Sequence, residues 1–321
     1  MDRHRDPRLG RDSSLKRYDD LRDMIGDVAN PTPMVALRHM VPGDDVSLYA
    51  KLEWMNPFGS VKDRAAKWML EAMERRGELD GKTVLAPTSG NTGIALAGIA
   101  QLMGHPMLAT VPRGMPEEKA ILMRALGAGV LPTPEATAGD VHPMDVAMDM
   151  AEEMLAASDE YAMPNQYDNA DNVRAHYEST GPEIWAQTEG RIRYFFAGLG
   201  TTGTITGVGM FLKQRDSSIK VVAIEPVRGH RISGLKNMEE TRVPGILDRS
   251  VIDEVVLVDD DEARATAVRL HREEALLAGS SGAAAIAGAL RYLEGRSGVA
   301  VVIVPDSSQK AVSYLAEALG E

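Results

Sequence analysis

A lysine set among turn residues is the first feature of this sequence that could do chemistry. Asn56-Pro57-Phe58-Gly59-Ser60-Val61-Lys62-Asp63-Arg64 lies between a strand-like run, Val46 to Leu52, and a helix-like run, Val61 to Arg76. Asn56, Pro57 and Gly59 break the strand, and Ser60 is placed to cap the helix. Lys62 then falls in the first helical turn, where the macrodipole disfavours a cation and the amine pKa should drop. Such an amine can act as a nucleophile or form a Schiff base. A surface lysine reaching into water fits the same stretch.

Three further loops carry candidate binding groups. Gly198-Leu199-Gly200-Thr201-Thr202-Gly203-Thr204 follows an apolar strand and opens a helix. Converging backbone N–H groups, threonine hydroxyls and a helix N-terminus suit a phosphate held by neutral donors. The same loop satisfies G-x-G-x-x-G, and Glu225 ends the next strand, so an NAD-linked oxidoreductase is a competing expectation. Pro87-Thr88-Ser89-Gly90-Asn91-Thr92-Gly93 offers hydroxyl, amide and backbone donors for a carboxylate, or simply caps a helix. Val304-Pro305-Asp306-Ser307-Ser308 ends a strand and opens the last helix, again with capping as the plainer reading. An amine, two anion cradles and a lone hydroxyl are the parts needed for pyridoxal phosphate (PLP) bound to lysine and receiving an amino acid.

Strands must alternate with helices to bring these loops together. Apolar runs at Val46–Leu52, Thr83–Ala86, Met107–Val111, Tyr194–Ala197, Val221–Ile224, Val255–Val258 and Val299–Val304 read as strands, with helical runs between most of them. That order predicts parallel sheets covered on both faces, with the loops at their carboxyl edge. Pro132, Pro134, Gly139 and Pro143 loosen the pattern, and a lobe boundary is expected near Pro164. Apolar content of 44% over 321 residues describes a globular chain, and no apolar run is long enough to span a membrane. The net charge of -12 argues against nucleic acid or anionic membranes as partners, and the absence of cysteine removes disulfides and thiolate chemistry. Seven histidines without an HExxH-like pair give metal catalysis no support. Met1 to Arg22, dense in Arg and Asp, lacks the apolar core of a secretory signal and reads as a polar arm of a cytoplasmic protein.

Taken together, Asn56 to Arg64, Thr88 to Gly93, Gly198 to Thr204 and Pro305 to Ser307 resemble the cysteine synthase and cystathionine β-synthase family of fold type II PLP enzymes. The motifs keep the family's order between Asn30 and Leu319. The resemblance implies an α/β fold of two lobes of mainly parallel sheet covered by helices, like the tryptophan synthase β-subunit. Residues 1–45 and 164–321 would form the larger, cofactor-binding lobe, and residues 46–163 the smaller lobe with Lys62 and the carboxylate loop.

By the same resemblance, Lys62 is the Schiff-base lysine and removes the substrate α-proton. Asn91 meets the cofactor's ring oxygen, while Gly200, Thr201, Thr202, Gly203 and Thr204 bind its phosphate. Ser307 faces the pyridine nitrogen. Thr88, Ser89 and Thr92 hold the substrate carboxylate, with Gln166 assisting. The implied reaction eliminates a leaving group from O-acetylserine or O-phosphoserine, and a sulfur nucleophile adds to the resulting aminoacrylate to form L-cysteine. A cystathionine β-synthase or a diaminopropionate-type synthase is the variant within this fold, and a homodimer is the implied assembly. Ala29-Asn30-Pro31 and Thr202 depart modestly from the family pattern. Lys236 stands where relatives using O-phosphoserine carry a phosphate-binding arginine; it matches the charge without the bidentate fork, and His230 and Arg231 are alternative anion contacts.

Overall fold

Gly298–Val304 is apolar along its whole length and rich in β-branched valine and isoleucine, which suits a strand covered on both faces. In a computed structural model, which describes residues 16–41, 43, 45–134 and 143–319, this strand lies inside a six-stranded sheet. Residues 1–15 of the charged arm and Gly139 lie outside the described residues. The strands are β1 (Met34–Ala36), β2 (Val46–Leu52), β3 (Thr83–Pro87), β4 (Met107–Val111) and β5 (Gly129–Pro132). They continue with β6 (Tyr161–Ala162), β7 (Ile192–Gly198), β8 (Lys220–Pro226), β9 (Glu254–Val258) and β10 (Gly298–Val304). The helices are α1 (Lys62–Arg75), α2 (Asn91–Met103), α3 (Glu117–Ala125), α4 (Pro143–Ala157) and α5 (Ala170–Ala175). After them come α6 (Gly181–Gln187), α7 (Gly203–Arg215), α8 (Asp260–Glu273), α9 (Ser280–Leu293) and α10 (Val312–Leu319).

The larger sheet has the order β1-β2-β10-β7-β8-β9 and the smaller β5-β4-β3-β6. All pairs are parallel except β1 with β2. Alternate residues of β10 serve different cores: Ala300, Val302 and Val304 pack toward α8 and α9, whereas Val301 and Ile303 pack with Ile205, Val208 and Leu212 of α7. In the smaller sheet, α2 is buried nearly all round, so it reads as a core helix rather than an amphipathic one. Gly98 lets the Lys62 turn approach α2, because a Cβ there would meet the Phe58 ring at 2.1 Å.

Two sequence expectations change. A smaller lobe starting at residue 46 does not hold for β2, which pairs along its length with β10 in the larger sheet; the chain crosses to the smaller sheet only after the Lys62 turn. The run Glu262 to Leu277 reads in sequence as one helix, but α8 stops at Glu273, and Ala275 just beyond takes a positive φ of 54°.

Between the sheets lies a wholly buried set of charges. Arg64 donates through Nε to Glu53 Oε2 at 2.7 Å and through Nη2 to Glu53 Oε1 at 2.9 Å. It also grips Glu183 through Nη1 and Nη2, the latter at 2.9 Å, and Lys51 Nζ completes the group at 2.6 Å from Glu183 Oε2. Burial alone would raise the Glu53 carboxyl, but the Arg64 guanidinium outweighs it and holds the group down at about 2. Replacing Glu53→Gln strands part of this positive charge, so the unfolding free energy should fall by about 3–5 kcal/mol in denaturant titration at neutral pH. The native carboxyl lies below its ordinary value of 4.5, so its contribution is complete above that pH and is lost as pH falls towards about 2. The variant should therefore show a flatter acid limb over that window.

Candidate active site

The turn before Lys62 is built from local hydrogen bonds and clamped from outside. Phe58 N donates to Asp63 Oδ2 at 2.7 Å, Lys62 N donates to Ser60 Oγ at 3.2 Å, and Asn56 Oδ1 accepts from Gly26 N at 2.9 Å. Gly59 has φ +77°, and the Lys310 side chain occupies the space a Cβ would need. Val61 N donates to Pro305 O at 2.9 Å, tying this turn to the one after β10. Lys62 is half-buried, and its side chain faces a cavity of about 310 Å³. Desolvation pulls its pKa down to about 8, and the Asp306 carboxylate opposes that fall. The sequence reading assigned the drop to the helix dipole; burial is the dominant cause here.

The other loops meet the same cavity. Thr88, Ser89, Gly90, Asn91 and Thr92 line one wall. Thr88 Oγ1 accepts from Gly90 N at 3.2 Å and Gly93 N at 3.0 Å, so it shapes the loop while keeping its own hydrogen to donate. Thr92 Oγ1 donates to Gln166 Oε1 at 2.7 Å, which joins two of the residues expected to hold a carboxylate. Asn91 Nδ2 donates to Asp306 Oδ2 at 2.6 Å, while Asn91 Oδ1 is buried and without a partner among the described residues.

Across the cavity, Gly198, Gly200, Thr201 and Thr204 form the end of β7 and the start of α7. A Cβ at Gly200 would lie 2.6 Å from Gly234 O, and one at Gly203 2.2 Å from Asn172 Oδ1. Thr202 has φ +68°, in the left-handed region, and a buried hydroxyl with no partner among the described residues. Neither Thr202 nor Gly203 is on the cavity wall itself. Thr204 Oγ1 lies 3.1 Å from His176 Nε2, and His176 Nδ1 lies 2.9 Å from Thr180 Oγ1. Burial, reinforced by the Arg64 charge, drives the His176 pKa down to about 3, so the ring is neutral behind the cradle.

Besides Thr202 and Gly203, a third expected residue is off the wall. Ser307 is buried and absent from the wall; its Oγ accepts from Gln309 N at 3.3 Å as a cap. Ser281, in the first turn of α9, is on the wall instead. The Gly279-Ser280-Ser281-Gly282 run was the available signal, a small-residue turn before a helix. Lys119 of α3 was also missed: it is buried, lines the cavity and donates to Ser233 Oγ at 3.2 Å. Lys236 also lines the cavity. Its Nζ is buried with no hydrogen-bond partner among the described residues and lies 4.4 Å from the centre of the Tyr167 ring. Burial lowers its pKa, opposed by Asp145. His230 and Arg231 line the same side.

A reactive amine, a neutral-donor cradle at a helix N-terminus and orphaned buried groups at Asn91 and Thr202 fit a phosphorylated aldehyde cofactor better than a dinucleotide. The chain belongs to the pyridoxal-phosphate dependent enzyme family, which matches residues 25–306. It is 42% identical over 277 residues to cysteine synthase B of Salmonella typhimurium, spanning 85% of this chain and 88% of that protein. It is 37% identical over 314 residues to the cysteine synthase of Aquifex aeolicus, spanning 94% and 93%. Among solved structures, an O-ureido-L-serine-bound mutant of O-ureido-L-serine synthase has a TM-score of 0.85 at 36% identity and covers 94% of each chain. O-acetyl serine sulfhydrylase isoform 3 from Entamoeba histolytica has a TM-score of 0.84 at 29% identity, covering 95% of this chain and 93% of that one. The cofactor is pyridoxal 5'-phosphate, and the dinucleotide reading of Gly198–Gly203 is set aside.

A Lys62 pKa near 8 makes a kinetic prediction. Capture of PLP by cofactor-free protein, followed by absorbance, should accelerate about tenfold per pH unit below the midpoint and level off above it. A midpoint at the ordinary lysine value of 10.5 would contradict the burial assigned to this side chain.

Proposed function

We propose that this chain forms L-cysteine by β-replacement on an activated serine with a sulfur nucleophile. The observation that carries the reading is the convergence of Lys62, the Thr88–Thr92 loop and the Gly198–Thr204 loop on one cavity. Bound there, PLP would supply an aldehyde that condenses with amines and a ring that withdraws electrons from the substrate α-carbon. Lys62 holds the cofactor through Nζ and, as the neutral amine, takes the α-proton. Gly200, Thr201 and Thr204 hold the phosphate from the wall, with Thr202 and Gly203 shaping the turn. Asn91 holds the ring oxygen. Ser281, in place of Ser307, is the hydroxyl for the ring nitrogen; a serine cannot hold that nitrogen protonated as a carboxylate would, which suits elimination. Thr88, Ser89, Thr92 and Gln166 bind the substrate carboxylate.

Lys236, on the cavity wall with a buried Nζ, supports a role at the leaving group. An unpaired ammonium buried in a cavity favours an anion, so O-phosphoserine is the donor this wall suits. The homologous cysteine synthases support the reaction class, and a cytoplasmic homodimer completes the reading by resemblance. Sedimentation velocity should give the dimer mass.

The test is cysteine formation from O-acetylserine, O-phosphoserine and serine, each with sulfide. Lys62→Ala should lower turnover by about a thousandfold or more; retained turnover would remove the assignment. Lys236→Met should raise KM for O-phosphoserine about tenfold while leaving O-acetylserine unaffected. Equal effects on both donors would show that Lys236 does not contact the leaving group.

A further inference from the structure

The turn after β10 brings to the cavity a carboxylate that the reaction scheme gives no part. Asp306 lines the cavity together with Lys62 and Asn91. Its backbone forms an antiparallel bridge with Ser60, two residues before the lysine, and the Val61–Pro305 hydrogen bond extends that pairing. The position of Asp306 relative to Lys62 is therefore set by main-chain pairing.

Both carboxylate oxygens have distinct surroundings. Oδ2 accepts from Asn91 Nδ2 at 2.6 Å, in the short range of charge-assisted bonds. Oδ1 lies against Gly279, where an added methyl would approach it to 2.0 Å. Gly279 caps α9, a helix of 14 residues, so the charge sits at a positive helix end. An ionised carboxylate can only accept, and it must therefore meet the NH2 side of the Asn91 amide. Asn91 makes no other side-chain hydrogen bond among the described residues, and its Oδ1 is orphaned in the cavity wall.

We propose that Asp306 is a positioning residue for the cofactor anchor: its carboxylate orients the Asn91 amide and is the negative charge that main-chain pairing holds beside the turn carrying Lys62. The other charged groups around Lys62 do not duplicate it. Asp63 is turned to Phe58 N and Ser60 Oγ, and Lys310 reaches the Phe58 carbonyl. Lys119 and Lys236 are cations on other parts of the wall, and His176 is neutral. The depressed Lys62 pKa is opposed by Asp306, in keeping with this placement.

The test uses full-length protein stripped of cofactor, with no substrate added, so its outcome is independent of the proposed reaction. Amine labelling at Lys62 is followed against pH by peptide mass spectrometry, and PLP binding is titrated separately. Asp306→Asn should move the labelling midpoint down by about one pH unit and weaken PLP binding about tenfold. Asp306→Glu should restore most of the midpoint, since charge is the agent. Asn91→Ala should weaken PLP binding without moving the midpoint, and its effect should be less than additive with Asp306→Asn. Gly279→Ala, which displaces the carboxylate without removing it, gives a second route and should also weaken PLP binding. A midpoint and PLP affinity unchanged in Asp306→Asn would overturn the proposal. So would an Asp306→Glu variant indistinguishable from Asp306→Asn.

Discussion

Everything at the cavity depends on how firmly the start of α1 is held, and that is the work of Arg64. Its guanidinium lies two residues past Lys62 and donates to two carboxylates from separate elements, Glu53 after β2 and Glu183 in α6. It also meets Gly26 O at 2.6 Å and Ser179 Oγ at 3.0 Å, so nearly every donor of the fork is used. The body of α1 meanwhile packs through Ala66, Leu70 and Met73 into the core of the smaller sheet. The lysine thus sits where one helix is bolted to the larger sheet by charge and to the smaller by apolar contact. Two cations and two anions balance within the group, which limits the penalty of burying them. A hydrophobic replacement of similar volume could give comparable stability, but it would lack the fixed directions of a bidentate fork. The network is better understood as fixing geometry than as adding stability.

What was legible in the sequence was what local chemistry determines. Continuous apolar runs located the main strands, and turn residues located the loops after β3, β7 and β10. Lys62 was legible because a lysine at a helix start is electrostatically misplaced, although the cause that dominates is burial, a tertiary property. The short strands β5 and β6 carried too little pattern to be found, and the side taken by β2 depends on pairing with β10, far away in sequence. Ser307 and Ser281 show the limit most clearly. Each is a small hydroxyl residue at a helix start, and tertiary placement separates them: Ser307 pairs with Ala278 and caps Gln309 N, while Ser281 is on the cavity wall. Lys119 was unreadable for the same reason, since nothing near it in sequence marks an ammonium that reaches Ser233 on another loop.

The distribution of charge around the cavity has its own logic. The Gly198–Thr204 cradle contains no cation, and the nearest titratable ring, His176, is kept neutral by burial. A neutral ring at Thr204 Oγ1 either donates to that oxygen or accepts its hydrogen, and only the first leaves the threonine hydrogen free for a phosphate. On the proposed reading, a phosphate here would be met by α7's N-terminus and by hydroxyl and backbone donors, which bind without adding a mobile positive charge. The cations are deployed elsewhere: Lys119 bridges from α3 to Ser233, and Lys236 is unpaired over Tyr167. The described cations of the wall thus stay outside the Gly198–Thr204 cradle.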